Sequence, residues 1–430
     1  MKKIAFTICA KNYIGLAQTL ESSIKKHSED VEFLIFVADE ISSSDGLTNL
    51  PENVIISKDV LAIPTQQWHE MAFKYDLTEF CTSIKPSCFK YIFKEFNPDV
   101  CIYFDPDILT FNSLDIIFNQ LNNYSIMVTP HITTIEENYS GSLNERNLLY
   151  SGMFNLGFLG LKNDETANIM LDWWAERLKD RCYQNVMENY FTDQKWMDFL
   201  PSFFPDELLI STDLGLNVAP WNFYERQLIV EKDGRLNIKH RFKEDIGRQY
   251  PLTFIHFSGF NYKAFLNNEL IQGNIKNLEL PTDFNVAFSE YATELRKSNI
   301  SKYIDLTYSY NFFSNLSGVS ITYRRLYRRL LEDGKIKTNP FDFKNPFYQA
   351  LKKSGLINKK MVIVDKTNVA NVSDTEAKTI KINKLFKIVF KIIGPERFFL
   401  LTRLMRLYSK PENHVYLIDE DYLKKFKIRN

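Results

Sequence analysis

Apolar and polar positions follow two rhythms along the first third of the chain. Lys3–Cys9 is a short apolar run that reads as a buried strand, and residues 16–26 place apolar side chains at helical spacing. Residues 31–38 crowd Phe, Leu, Ile and Val together, as a parallel strand buried on both faces does. Val54–Ile56 is a weaker strand candidate, and residues 77–96 predict a long helix in which Pro86 marks a boundary or kink. Val100–Phe104 predicts a third buried strand that runs straight into Asp105-Pro106-Asp107. Asn112-Ser113 predicts the cap of a helix ending at Leu121, and residues 125–129 predict another strand. Strand and helix in turn imply an α/β domain with a mostly parallel sheet.

Further along, residues 153–161 predict a strand containing glycine, and residues 164–179 a helix carrying Trp173-Trp174. Residues 193–200 predict another helix, with Leu208–Ile210 and residues 252–256 as short strands. Glu231-Lys232-Asp233-Gly234 has the chemistry of a hairpin turn. Beyond about Leu280 the segments turn helical and basic, with a loop at Lys337-Thr338-Asn339-Pro340 and a polar stretch over 368–378. The expected division is a catalytic domain over residues 1–285 and a helical C-terminal region over 286–430. There is no internal repeat.

Composition narrows this only a little. At 430 residues the chain has room for one large domain with an appendage. Its 35 Phe and 22 Tyr imply an aromatic core, and such rings also suit packing on sugar C–H faces. Lys plus Arg and Asp plus Glu number 53 each, so bulk charge gives no reason to expect a nucleic-acid partner. Cys9, Cys81, Cys88, Cys101 and Cys182 lack metal-site spacing and read as reduced, buried thiols, which points to the cytoplasm. The apolar N-terminal stretch breaks at Lys11-Asn12, before a signal sequence or a membrane span forms.

The candidate chemistry starts at Asp105-Pro106-Asp107. Two carboxylates flanking one residue can face a hard divalent cation that bridges phosphates. The carboxyl end of a strand in an open α/β sheet is also where ligands bind. Spacing alone decides nothing, because Asp419-Glu420-Asp421 repeats it in a charged tail with no strand before it. A structural turn is the other reading of the first pair.

The segment from Lys85-Pro86 to Cys101-Ile102-Tyr103-Phe104-Asp105-Pro106-Asp107-Ile108-Leu109 resembles the Asp-x-Asp region of retaining GT-A glycosyltransferases. The match is to the family 8 type, which includes glycogenin and bacterial lipopolysaccharide galactosyltransferases. Residues 6–13, Phe154-Asn155-Leu156-Gly157-Phe158, Asp193-Gln194 and Ile255-His256-Phe257-Ser258-Gly259 resemble further family elements in the same order, over roughly residues 1–265. The resemblance implies a GT-A fold and a nucleotide loop at Ala10, Asn12 and Tyr13. Asp105, Lys85, Gly157, Gly259 and Lys263 would border the donor and its diphosphate. Asp105, Asp107 and His256 would ligate Mn²⁺ or Mg²⁺, the neutral imidazole suiting Mn²⁺ better than Ca²⁺. Asp193, Asn155 and Gln194 would stand at the reacting sugar.

Each position also has a plainer reading. Tyr13 could be a core aromatic, Lys85 a solvated helix charge, Asp193 a helix cap, Asn155 and Gly157 close backbone packing, and His256 a structural strand end. Two departures from the family pattern are visible. Ala10-Lys11 stand where an acid often precedes the Asn, and Tyr262 stands where the family has a Lys, with Lys263 one residue later.

Between Lys378 and Lys410, nine basic residues interleave with Ile, Leu, Val and Phe, and only Glu396 opposes them. Gly394-Pro395 predicts two helices rather than one. Such a tail suits an anionic membrane surface, or else packs on the domain with a solvated basic face. Arg324, Arg325, Arg328 and Arg329 form a second basic cluster, expected to extend the same surface. Together these expectations describe a hexosyl transfer from a nucleotide-sugar, UDP-linked by resemblance, to a saccharide or glycolipid hydroxyl. The protein would be cytoplasmic or peripheral at the inner membrane face. The competing expectations are a sugar nucleotidyltransferase, against which the absence of a Gly-rich basic loop counts, and a non-catalytic scaffold of the same fold.

Overall fold

The computed structural model describes residues 1–47, 49–242, 248–275, 278–336, 338–357 and 375–419. Glu420, Asp421, Lys337 and the 368–374 part of the polar stretch lie outside the described residues. Two compact units are present: Met1–Ile63 with Thr78–Tyr308, and Pro64–Leu77 with Ser309–Asn430.

The first unit carries strands β1 (Lys3–Cys9), β2 (Glu32–Val37), β3 (Val54–Ile56), β4 (Val100–Phe104), β5 (Ile108–Thr110), β6 (Ile126–Val128) and β7 (Phe158–Lys162). They are followed by β8 (Gln184–Asn185), β9 (Tyr190–Phe191), β10 (Leu208–Ile210), β11 (Arg226–Val230), β12 (Leu236–His240), β13 (Tyr250–Pro251) and β14 (Phe254–His256). Seven of them form one sheet in the order β10-β6-β7-β4-β1-β2-β3. β1 lies parallel to β2 and β4, β2 to β3, and β6 to β10, while β7 runs antiparallel to both β4 and β6. The sheet is mostly parallel, as the apolar runs imply. Its middle strands are buried almost end to end.

Helix Ile14–His27 buries Ile14, Ala17, Leu20 and Ile24 against this sheet, one face at helical spacing. Its Gly15 is required by a close approach, since a Cβ there would lie 2.6 Å from the Cα of Ile300. Helix Asn285–Lys297 belongs to a second core in the same unit, where its Phe288, Tyr291 and Leu295 pack with Phe257 and Phe265. Phe104, Phe158 and Phe254 meet at centroid distances of 5.2–5.7 Å and fasten β14 to the end of the main sheet.

Three sequence expectations shift. The helix over 77–96 is two helices, Leu77–Ser83 and Lys85–Phe96, with Pro86 in the first turn of the second. The segment 193–200 is a 3₁₀ helix, Gln194–Phe199, leading into a short helix, Leu200–Phe203. The strand over 153–161 begins only at Phe158, because the Asn155 side chain accepts the Gly157 N–H at 3.1 Å and so turns the chain just before it.

The second unit has its own core of Phe73, Leu326, Tyr327, Phe347, Leu351 and Val415. The arginine cluster is interior, which overturns the expected basic surface. Arg324 donates to the carbonyls of Ala72, Phe73, Tyr75 and Tyr310, and Arg325 to that of Lys74. These oxygens include the unpaired last-turn carbonyls of helix Thr65–Lys74, which a guanidinium satisfies while opposing the negative helix end. Arg328 pairs with Glu332 and Glu412, and Arg329 with Asp333.

The tail helix Thr375–Tyr408 is broken at Gly394, where φ is 78°. Phe398 packs on Phe386 and Phe390 at 5.9 and 5.4 Å across this break, so there are two helices, as expected at Gly394-Pro395. Ile380, Ile382, Leu385, Ile388, Ile392 and Leu400 remain exposed. No described helix is long and apolar enough to cross a membrane.

Candidate functional site

The chain leaves β4 and turns at once. Asp105 N–H donates to the Gly157 carbonyl at 2.8 Å and Ile108 N–H to the Asp105 carbonyl at 3.2 Å. Residues 108–110 then pair antiparallel with β14, which sets His256 opposite Ile108. Phe257 N–H on the Asp107 carbonyl, at 2.9 Å, closes the corner. The ribbon therefore carries a histidine from far along the chain to the aspartate pair. His256 Nε2 lies 3.2 Å from Asp107 Oδ1 and 3.6 Å from Asp105 Oδ2. Donor atoms of the three residues all fall within 4.8 Å of one another.

The imidazole is held from behind. Asn155 Oδ1 receives the Gly157 N–H, and a backbone N–H can only donate, so this oxygen also faces His256 Nδ1 at 3.1 Å. The proton is thus assigned to Nδ1, which leaves the Nε2 lone pair directed at the carboxylates. Gly157 is required here: a Cβ would come within 2.3 Å of the ring. Trp221 packs edge-on against the same imidazole at 5.3 Å.

Two partly exposed carboxylates and a buried imidazole lone pair aimed at one point create a negative spot. Burial works to lower the His256 pKa, but Asp107, by charge and hydrogen bond, and Asp105 outweigh it and leave the ring raised. Burial likewise raises the Asp105 carboxyl, against the opposing charges of Lys85 and His256. The donor chemistry fits a divalent cation, which would relieve the same repulsion that a proton on His256 relieves.

Lys85 and Asp193 stand beside this group. Lys85 Nζ is 2.6 Å from Asp193 Oδ2 and 2.9 Å from the Leu156 carbonyl, with both side chains buried. Neither plainer reading holds, since Lys85 is not solvated and the Asp193 side chain makes no capping bond. Thr192, at φ 46°, is a β-branched residue in the left-handed region and donates its hydroxyl to Asp193 Oδ1 at 3.1 Å. Gln194 accepts the Leu156 N–H and donates to the Ser151 carbonyl, so Asp193-Gln194 bracket the same turn that holds Asn155.

Tyr103 is the link that the sequence reading lacked. Its hydroxyl donates to Asp105 Oδ1 at 2.6 Å, and its ring lies 4.0 Å from Lys85 Nζ. The signal was available: residues i and i+2 of a strand share a face, so Tyr103 points the way Asp105 does.

The nucleotide loop is less uniform. Ala10 is buried, and Lys11 turns inward to Asp45 at 2.9 Å and the Glu40 carbonyl at 3.1 Å. Asn12 Oδ1 is buried with no partner among the described residues. Tyr13 is half-buried, edge-on to Tyr262 at 5.3 Å. Gly259 turns the chain at φ 74° against Gln272 and Asn274, and Lys263 lies exposed on the short helix Tyr262–Leu266.

No protein-family model matches the chain. The uncharacterized protein YfnF of Bacillus subtilis (strain 168) is 26% identical over 268 residues, covering 62% of this chain and 84% of that protein. Among solved structures, the galactosyltransferase LgtC in complex with donor and acceptor sugar analogs is 16% identical at a TM-score of 0.40, covering 67% of this chain and 95% of that one. The glycosyltransferase GlyE of Streptococcus pneumoniae TIGR4 is 15% identical at a TM-score of 0.37, with 73% and 66% covered.

Proposed function

We propose that the protein is a glycosyltransferase that binds a nucleotide-sugar through a divalent cation, Mn²⁺ or Mg²⁺, held by Asp105, Asp107 and His256. The observation that carries this reading is the convergence of those three side chains at the carboxyl end of β4, with His256 presenting Nε2. When bound, the cation supplies neutralisation of the diphosphate as it leaves.

The chain's own residues divide the remaining work. Asn12 Oδ1, buried without a partner among the described residues, offers an acceptor for the nucleotide, and the half-buried Tyr13 ring offers a face for its base. Lys85 sets positive charge behind Asp105 and pairs with the buried Asp193 carboxylate. The transfer moves a hexosyl unit, UDP-linked by resemblance, to a saccharide or glycolipid hydroxyl. It proceeds with retention, the acceptor approaching from the leaving-group face at Asp193, Asn155 and Gln194. Bacterial surface polysaccharide or glycoconjugate synthesis is the setting this suits.

The tail extends the reading to a cytoplasmic protein peripheral to the membrane. Exposed aliphatics and lysines share one kinked helical segment, and each basic residue near an anionic surface contributes about 1 kcal/mol.

The test is a screen of nucleotide-sugars for Mn²⁺-dependent hydrolysis without acceptor, followed by NMR of the transfer product. A released sugar with one donor, and a retained anomeric configuration, are expected. No hydrolysis with any donor would favour a scaffold, and an inverted product would remove the retaining assignment. Deletion of residues 378–408, which leaves Glu412 and Val415 of the second unit in place, should release the protein from anionic liposomes and spare hydrolysis; equal liposome binding would remove the tail's role.

A further inference from the structure

Behind the cation ligands lies a residue that no motif marks. Asn217 is 1% exposed and adopts φ 50°, a conformation that Asn tolerates better than most side chains. Its Nδ2 donates to Thr129 Oγ1 at 2.8 Å and to Asn155 Oδ1 at 3.2 Å. Its neighbour Val218 accepts the His256 N–H at 2.8 Å and donates to the Phe254 carbonyl at 3.2 Å. The Asn217 carbonyl is in turn held by Asn222 Nδ2 at 3.0 Å. The loop is thereby pinned to β14 at Phe254 and His256.

We infer that Asn217 is a positioning residue that fixes the tautomer of His256 through Asn155. Asn155 Oδ1 takes three donors: Gly157 N–H, Asn217 Nδ2 and His256 Nδ1. On its other side Asn155 Nδ2 reaches only a 3.4 Å contact with Gln194 Oε1. Were the amide to rotate by half a turn, its NH₂ would face the imidazole. The ring proton would then move to Nε2 and point at Asp105 and Asp107, and the histidine would cease to be a ligand. Asn217 opposes that rotation together with the Gly157 N–H, because either donor would then meet the Asn155 NH₂. It touches neither carboxylate and acts only through Asn155.

This inference rests on the cation site proposed above, and its test separates the two. Asn217→Gly keeps the left-handed backbone and removes the amide; Asn217→Asp keeps the shape and replaces the donor with an acceptor. MnCl₂ alone is titrated into each folded variant and into Asp107→Asn, with ¹⁵N chemical shifts of the His256 ring recorded without metal at a pH high enough for the ring to be neutral. Expected are an Nδ1–H ring in the unaltered protein, a mixed or Nε2–H ring in the Asn217 variants, and Mn²⁺ affinity lowered about tenfold. Folded Asn217 variants with unchanged affinity and an unchanged ring would overturn the inference while leaving the site standing. If neither the unaltered protein nor Asp107→Asn binds Mn²⁺, the cation reading fails, and the ring shifts still decide the role of Asn217. If Asn217→Gly does not fold, Asn217→Asp carries both readouts.

Discussion

Two concentrations of like charge occur in this protein, one buried and one partly exposed, and they are built in opposite ways. On helix Ile321–Glu332 four arginines lie inside the second unit, and each is answered locally by carbonyl oxygens or carboxylates. At the end of β4, Asp105 and Asp107 are joined by a third electron-rich group, the Nε2 of His256. The arginines complete an interior that would otherwise leave helix-end carbonyls unsatisfied. The aspartates and histidine are gathered by backbone pairing that has no structural need of them, and their mutual repulsion is relieved by a proton or a cation. Charge that is answered in place reads as architecture, whereas charge gathered with its own kind reads as a site.

This contrast can be broken from either side. Arg324→Met should have the largest effect, about 4 kcal/mol lost from the second unit in urea unfolding, because several buried carbonyls lose their donor together. Mn²⁺ affinity should not change, and a parallel loss of metal binding would end the separation of roles. Asp107→Asn should lower Mn²⁺ affinity at least ~100-fold in isothermal titration, about 2.7 kcal/mol, with little change in unfolding. Destabilisation comparable to that of Arg324→Met would mark the pair as structural. Tyr103→Phe sharpens the comparison at finer scale: losing one hydrogen bond to Asp105 should weaken Mn²⁺ binding about tenfold and leave the fold intact. Unchanged affinity would reduce Tyr103 to packing.

The strands were legible wherever burial on both faces made a continuous apolar run, as in Lys3–Cys9 and Val100–Phe104. The reversed direction of β7 was not, because an apolar run carries no sign of direction. Asp105 and Asp107 could be found from a strand and a spacing. That His256 meets them depends on the register of β5 with β14, which no local pattern encodes. The arginine cluster misled because four adjacent basic residues look solvated until helix Thr65–Lys74, from far upstream, is seen to end against them. Tyr103 was readable from strand alternation, while Asn217 emerges only from tertiary contacts.

The short β5–β14 ribbon has one more consequence. Because it draws position 256 onto positions 105 and 107, any ion held there binds only the folded chain and not the unravelled one. Ligand and fold are then thermodynamically linked: at a free cation concentration ~100 times the dissociation constant, the melting equilibrium gains about 2.7 kcal/mol. A chelator would act on this protein as a mild denaturant.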